Sequence, residues 1–245
     1  MSSLARFSSL HTPLDRMYKS PAVVAAVAVS GYVTAGLVLN FDASVSGSYP
    51  GTGTNWTDTA SSKVGAMGTG VAYSASSGGV MTFNGTTNAV VTISGFTSLT
   101  NNFTIECWYQ TSNNHPALWA SSTSIGGNGF MMGYYAASTP ANSWKATKYG
   151  VIDIYIGTIP QNTAWHQVTY TFSSTAGVSV YVDGAQTGTT VNNTSNLTAV
   201  TTNKIGLGES NNHSGSIGSI RMWNTVLSST QVAQNFTAVR SKYGI

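Results

Sequence analysis

Seven carboxylates, Asp15, Asp42, Asp58, Glu106, Asp153, Asp183 and Glu209, limit the acid–base chemistry open to this chain. Glycoside hydrolysis needs two carboxyl groups close together across the scissile bond. Two acids at i and i+2 of one strand would share a face and supply such a pair. None of the seven is spaced that way, so the chain is expected not to be an enzyme. The histidines are scattered as His11, His115, His166 and His213. His166 falls in a strand-like run and is expected to pack or be half exposed. His115 and His213 fall in Asn-rich loops and are expected to be solvated. Nucleophile-elbow, phosphate-loop and H-E-x-x-H strings do not occur.

Binding chemistry has more material. Calcium takes hard oxygen ligands from Asp, Asn and backbone carbonyls. Asp42, Asn55 and Asp58 lie around one loop and are the candidate ligands, so Ca²⁺ is a possible cofactor; Asp183, in the VDG string, fits turn chemistry better. Glycan binding needs aromatic faces for sugar rings and amides for their hydroxyls. Trp56, Trp119, Tyr134, Tyr135, Trp144 and Tyr149 are the aromatic candidates, with Trp144 in a loop-like stretch the best exposed. Asn113, Asn114, Asn211 and Asn212 are the amide candidates. Trp165 and Trp223 are expected in the core. Asn-x-Ser/Thr strings start at Asn55, Asn102, Asn196 and Asn235 and become acceptors only in a secretory lumen.

The elements that must position these residues read as strands. In FTIECWYQT, Phe103, Ile105, Cys107 and Tyr109 alternate with Thr104, Glu106, Trp108 and Gln110. GLVLNFDAS, GFMMGYYAA, KYGVIDIYIG, WHQVTYTF, VSVYVDG, KIGLGE and GSIGSIRMWN have similar character. GGVMTFNGTTNAVVTI reads as a hairpin around Asn84-Gly85. One helix is expected near the end, capped by Ser228 or Ser229, with Val232, Phe236 and Val239 on one face. Strands separated by Gly/Asn/Ser/Thr-rich turns predict an all-β, antiparallel two-sheet sandwich. At 245 residues a single such domain suffices.

Only 7% of residues are charged, while 11% are aromatic. That composition excludes a disordered chain and leaves Ser, Thr, Asn and Gly to form the polar surface. A net charge of +3 is too small to imply nucleic-acid binding. Cys107 is the single cysteine, so no internal disulfide forms, and it reads as a small buried hydrophobe.

Residues 1–35 read as an N-terminal anchoring arm. Arg6, Arg16 and Lys19 make it basic, opposed by Asp15. The uncharged run Pro21 to Leu39 contains Val23, Val24 and Val27, but Ser30, Gly31, Thr34 and Gly36 interrupt it. What remains is short of a membrane span. A docking arm held by a neighbouring subunit is expected, rather than a signal peptide or a span.

From Gly36 to Ile245, the fragments GLVLNFDA, SYPGTGTNWTD, FNGTTNAV, FTIECWYQ, WHQVTYTF, YVDG, IRMWN…LSSTQV and QNFTAVRSKYGI occur in order. Together they resemble the laminin-G-like or pentraxin-like group of concanavalin A-type jelly rolls, in the form found in structural proteins of marine phages and large DNA viruses. The resemblance implies a jelly roll spanning residues 36–245. It further implies a virion surface component, as capsid decoration, minor capsid or fibre-type protein, meeting capsid subunits through the arm and a host glycan through the sandwich. Catalytic members of this fold carry an E-x-D-x-x-E strand, which this sequence lacks. A free secreted or cell-surface lectin is the alternative, and a glycoside hydrolase the weakest reading.

Overall fold

The computed structural model describes residues 31–121, 129–134, 141–148, 152–192, 197–208 and 211–245. The proposed anchor residues Arg6, Arg16, Lys19, Val23, Val24 and Val27, and the candidates Tyr135 and Tyr149, lie outside them.

Two antiparallel sheets of eight strands face each other. The first contains β1 (Leu37–Asp42), β4 (Val71–Ser74), β5 (Val80–Asn84), β7 (Phe103–Thr111), β12 (His166–Ser173), β13 (Gly177–Val182), β14 (Ala185–Val191) and β16 (Ser214–Trp223). Its order is β14-β13-β12-β7-β16-β5-β4, with β1 beside the second half of β16. The second contains β2 (Asn55–Thr57), β3 (Val64–Met67), β6 (Val91–Ser94), β8 (Ala117–Ala120), β9 (Phe130–Gly133), β10 (Trp144–Lys148), β11 (Ile152–Ile156) and β15 (Asn203–Ile205). Its order is β11-β10-β9-β8-β15-β6-β3-β2. This is the expected jelly-roll sandwich.

Alternation sets the core. Phe103, Ile105, Cys107 and Tyr109 point between the sheets, beside Val168 and Tyr170 of β12 and Ile220 and Met222 of β16. Trp56, Trp119 and Trp144 fill the same core from the second sheet. The Asn84-Gly85 hairpin does not form. β5 pairs with β4 and β16 in one sheet, and β6 pairs with β3 and β15 in the other. The Asn84 side chain caps the turn through the Thr86 N–H, and the chain then crosses between sheets. A two-residue turn would have kept both strands in one sheet.

The opposite face of β7 is buried as well. Thr104, Glu106 and Trp108 are all 0% exposed, because α1 (Ser229–Val239) and the turn after it lie across this face. Ser228 caps α1 in a capping box with Gln231. Trp108 stacks between Phe236, at 5.7 Å, and Tyr243, at 4.6 Å. Tyr32 and Val33, assigned by sequence to the arm, also pack here: Val33 donates to Asn235 Oδ1 and accepts from Trp223 Nε1.

Tyr243 comes this close because β16 bulges between Ile217 and Ser219, at Gly218. A Cβ on Gly218 would overlap the Tyr243 ring. Gly218→Ala is therefore expected to lower stability by about 1–3 kcal/mol, the usual cost of overpacking. In urea melts Tyr243→Ala should cancel part of that loss; fully additive effects would show that the tyrosine is not the obstacle.

Candidate binding rim

The carboxylates that meet in space do so over one arginine. Arg221, 2% exposed, lies between Asn40 of β1 and Glu106 of β7 in the strand register. Its guanidinium donates to Glu106 Oε1 at 3.0 Å, Asp42 Oδ2 at 2.8 Å and Asn40 Oδ1 at 3.1 Å. Its remaining face covers the Tyr32 ring at 4.3 Å. Asn235 of α1 donates to Glu106 Oε2, and Lys242 to Asp42 Oδ1. Burial raises the Glu106 carboxyl above its ordinary range, against the pull of Arg221. Burial acts the same way on Asp42, but Arg221 and Lys242 prevail and hold its carboxyl below the usual value. These groups tie the helix to the sheet.

Asp42 is thus occupied by cations, not poised for a metal. Asp58, 1% exposed, caps its own loop by accepting from the N–H groups of Asn40, Ala60 and Ser61 and from the Ser61 hydroxyl. Asn55 is exposed at the start of β2. The three do not form a ligand cluster, and no group of three or more His, Cys, Asp or Glu side chains able to hold a metal occurs among the described residues.

The tryptophan candidates are likewise corrected. Trp56, Trp119 and Trp144 are 0% exposed and cannot stack on a sugar. Trp144 opens β10, with Ala146 beside it in the core, so the stretch read as a loop alternates as a strand does.

The amides fare differently. At one end of the sandwich β7 gives way to residues 112–116, and β16 begins after residues 206–213. Ser112 N–H donates to the Ser214 carbonyl at 2.8 Å, and their hydroxyls meet at 2.7 Å. Asn211 Nδ2 donates to the His115 carbonyl at 2.9 Å. Asn212 bridges back to Leu207. Asn113 Oδ1 accepts from the His115 N–H, and Asn114 turns the chain with a φ of 59°. Tyr134, anchored through its N–H to the Pro116 carbonyl, lies parallel to the exposed His115 ring at 4.1 Å. The rim therefore gathers Asn113, Asn114, Asn211, Asn212 and Tyr134 around a stacked pair whose histidine had no local signal.

Beneath it sits His213, expected in solvent but 0% exposed. Nε2 faces the carbonyls of Gln110 and Ser216 at 3.1 and 3.4 Å, so it carries the proton. Burial pushes the ring's pKa down to about 4. Its Nδ1, with Asn114 Oδ1, Asn211 Oδ1 and Asn212 Nδ2, is buried without a protein partner. Such atoms are exceptional in folded proteins, and these four belong to one rim. Nearby, His166 is held by Asp183 Oδ2 at 2.7 Å and Asn162 Oδ1 at 2.9 Å, so neither ring nitrogen is free to act as a base.

Over residues 84–233, more than half of its length, the chain matches the concanavalin A-like lectin/glucanases superfamily. The chain belongs to that superfamily. No curated protein matches it in sequence. Solved structures with the superfamily's sandwich are similar to it. Trypanosoma rangeli sialidase matches with a TM-score of 0.60 at 17% identity, over 87% of this chain and 34% of that one. The receptor binding domain of botulinum neurotoxin type G matches with a TM-score of 0.58 at 13% identity, over 82% of this chain and 51% of that one. The binding domain of Paraclostridial mosquitocidal protein 1 matches with a TM-score of 0.62 at 15% identity, over 82% and 52%. The chain thus spans about a third of the sialidase and half of each binding-domain chain. At these identities the likeness establishes the fold.

Proposed function

We propose that this chain is a non-enzymatic glycan-binding domain, carried on a virion surface by its N-terminal arm. The observation that carries the binding reading is the rim, where the His115–Tyr134 pair and four asparagines converge. Stacked rings offer a face to a sugar ring, and amides pair with its hydroxyls. The acids that do converge, Asp42 and Glu106, are committed to Arg221 under α1, which favours binding over hydrolysis. Two of the structural relatives are binding domains by description, one of them receptor-binding.

The virion setting rests on the resemblance of residues 36–245 to domains of phage and large-virus structural proteins. Within the arm read from sequence, residues 1–30 would be the anchor, using Arg6, Arg16 and Lys19 and the Val23, Val24 and Val27 run. Basic residues ahead of an Ala/Val run favour a second reading, a secreted or cell-surface lectin. A cleaved N-terminus found by mass spectrometry would select it.

A glycan array with wild type, His115→Ala and Tyr134→Ala tests the rim. Each variant should stay folded by circular dichroism and bind about tenfold more weakly, as expected for losing one stacking partner. Unchanged binding would place the site elsewhere. Removing residues 1–30 should spare glycan binding and abolish incorporation into particles; normal incorporation would end the anchor reading.

A further inference from the structure

The rim's charges, or the places where charges sit instead, narrow what it can hold. Its exposed or half-exposed side chains are Ser112, Asn113, Asn114, His115, Tyr134, Asn211 and Asn212. Four of the described lysines and arginines have partners elsewhere. Arg221 and Lys242 bind Asp42, Lys145 binds Asp153, and Arg240 covers Phe236 on α1. Lys63 sits in the loop closed by Asp58, Lys204 lies between Thr92 and Ala120 within the second sheet, and the backbone of Lys148, at the last position of β10, pairs with Phe130 and Ile152. Glu209, which adjoins the rim loop in sequence, is acidic.

Of the rim's four unpaired buried atoms three are acceptors, Asn114 Oδ1 among them, and one, Asn212 Nδ2, is a donor. Asn211 donates through Nδ2 to a carbonyl, which fixes its unpaired atom as the acceptor Oδ1. His213 donates through Nε2, which leaves Nδ1 as a second unpaired acceptor. Both atoms are covered by the protein, so a ligand meets instead the exposed or half-exposed amides, hydroxyl and rings of Ser112, Asn113, Asn114, His115 and Tyr134, which suit sugar hydroxyls. An ionised carboxylate or sulfate only accepts, and its desolvation is offset by a fixed cation.

We propose that this rim selects neutral, hydroxyl-rich sugars and discriminates against sialylated, uronic or sulfated glycans. The proposal rests on the rim being the glycan site. Its physical basis is the combination of two stacked rings, an amide and hydroxyl lining, and, among the described residues, cations placed away from the rim.

The test is a titration of the full chain with a neutral oligosaccharide and with the same oligosaccharide capped by sialic acid, repeated with Tyr134→Ala. The neutral form should bind and the capped form bind roughly tenfold or more weakly, as expected for a carboxylate without a cation. Tyr134→Ala should weaken the neutral complex. Equal or tighter binding of the capped form, lost in Tyr134→Ala, would overturn the neutral preference and keep the rim as the site. Binding of either form that Tyr134→Ala leaves untouched, or no binding of either across an array, would overturn the rim itself and this proposal with it.

Discussion

Arg221→Ala is expected to cost about 3–5 kcal/mol of folding stability, the range for breaking a buried ion pair from one side. The arginine spans three strands and closes against Tyr32. Without it Glu106, 0% exposed, keeps the neutral Asn235 amide and Trp108 indole but no cation, while Asp42 keeps Lys242. A buried carboxylate with no cation beside it would take up a proton. Burial already raises its pKa, and a raised carboxyl stabilises the fold when protonated and loses that contribution as pH rises. The deficit of Arg221→Ala against wild type should therefore shrink on acidification. Arg221→Lys should recover little, because a point charge cannot serve three acceptors as the fork does. Arg221→Met with Glu106→Gln should recover much of the loss, since removing both charges together leaves no naked ion. Urea unfolding of wild type and the three variants decides the matter; an Arg221→Ala loss under about 1 kcal/mol, the surface-pair range, would deny the network its role.

Acid is expected to weaken the protein through His213, by about 3 kcal/mol between roughly pH 6.5 and pH 4. The unfolded chain protonates this ring below about 6.5, and the folded chain resists until about 4. In that window the unfolded state binds more protons, so stability falls as pH falls and levels off below the folded value. Glu106 acts in the opposite sense, and Asp42 titrates below the window. The difference between wild type and His213→Gln isolates the histidine. Gln can still donate to the Gln110 carbonyl, so the variant should remain folded at neutral pH. Its stability should lose the steep dependence between pH 6.5 and 4; an unchanged slope would assign the acid sensitivity to another group.

The legible part of this protein was local. Phe103, Ile105, Cys107 and Tyr109 carry a period of two, and that period alone placed β7 and its inner face. A serine ahead of Val232, Phe236 and Val239 on one face located the start of α1 to within a residue, Ser228 or Ser229, and the structure makes Ser228 the cap. Composition misled at Trp144, where a strand of five residues lies in a Ser/Asn-rich setting and was read as a loop. At Asn84-Gly85 the turn residues were right, but nothing nearby states whether the chain continues in its own sheet or crosses to the other.

Sequence by itself determined the sandwich, its strands, its capped helix and a surface of amides and hydroxyls. Tertiary structure alone decided which aromatics are covered, what the few charges do, and where the amides meet. Alternation assigns Glu106 to a face but does not say that a helix lies over it. Arg221 is 115 residues from Glu106 and 179 from Asp42. Asn211 is 96 residues from the His115 carbonyl it holds. Periodicity and capping act over a few residues, whereas these contacts form only when distant strands align, so their chemistry exists in the fold and has no local trace in the chain.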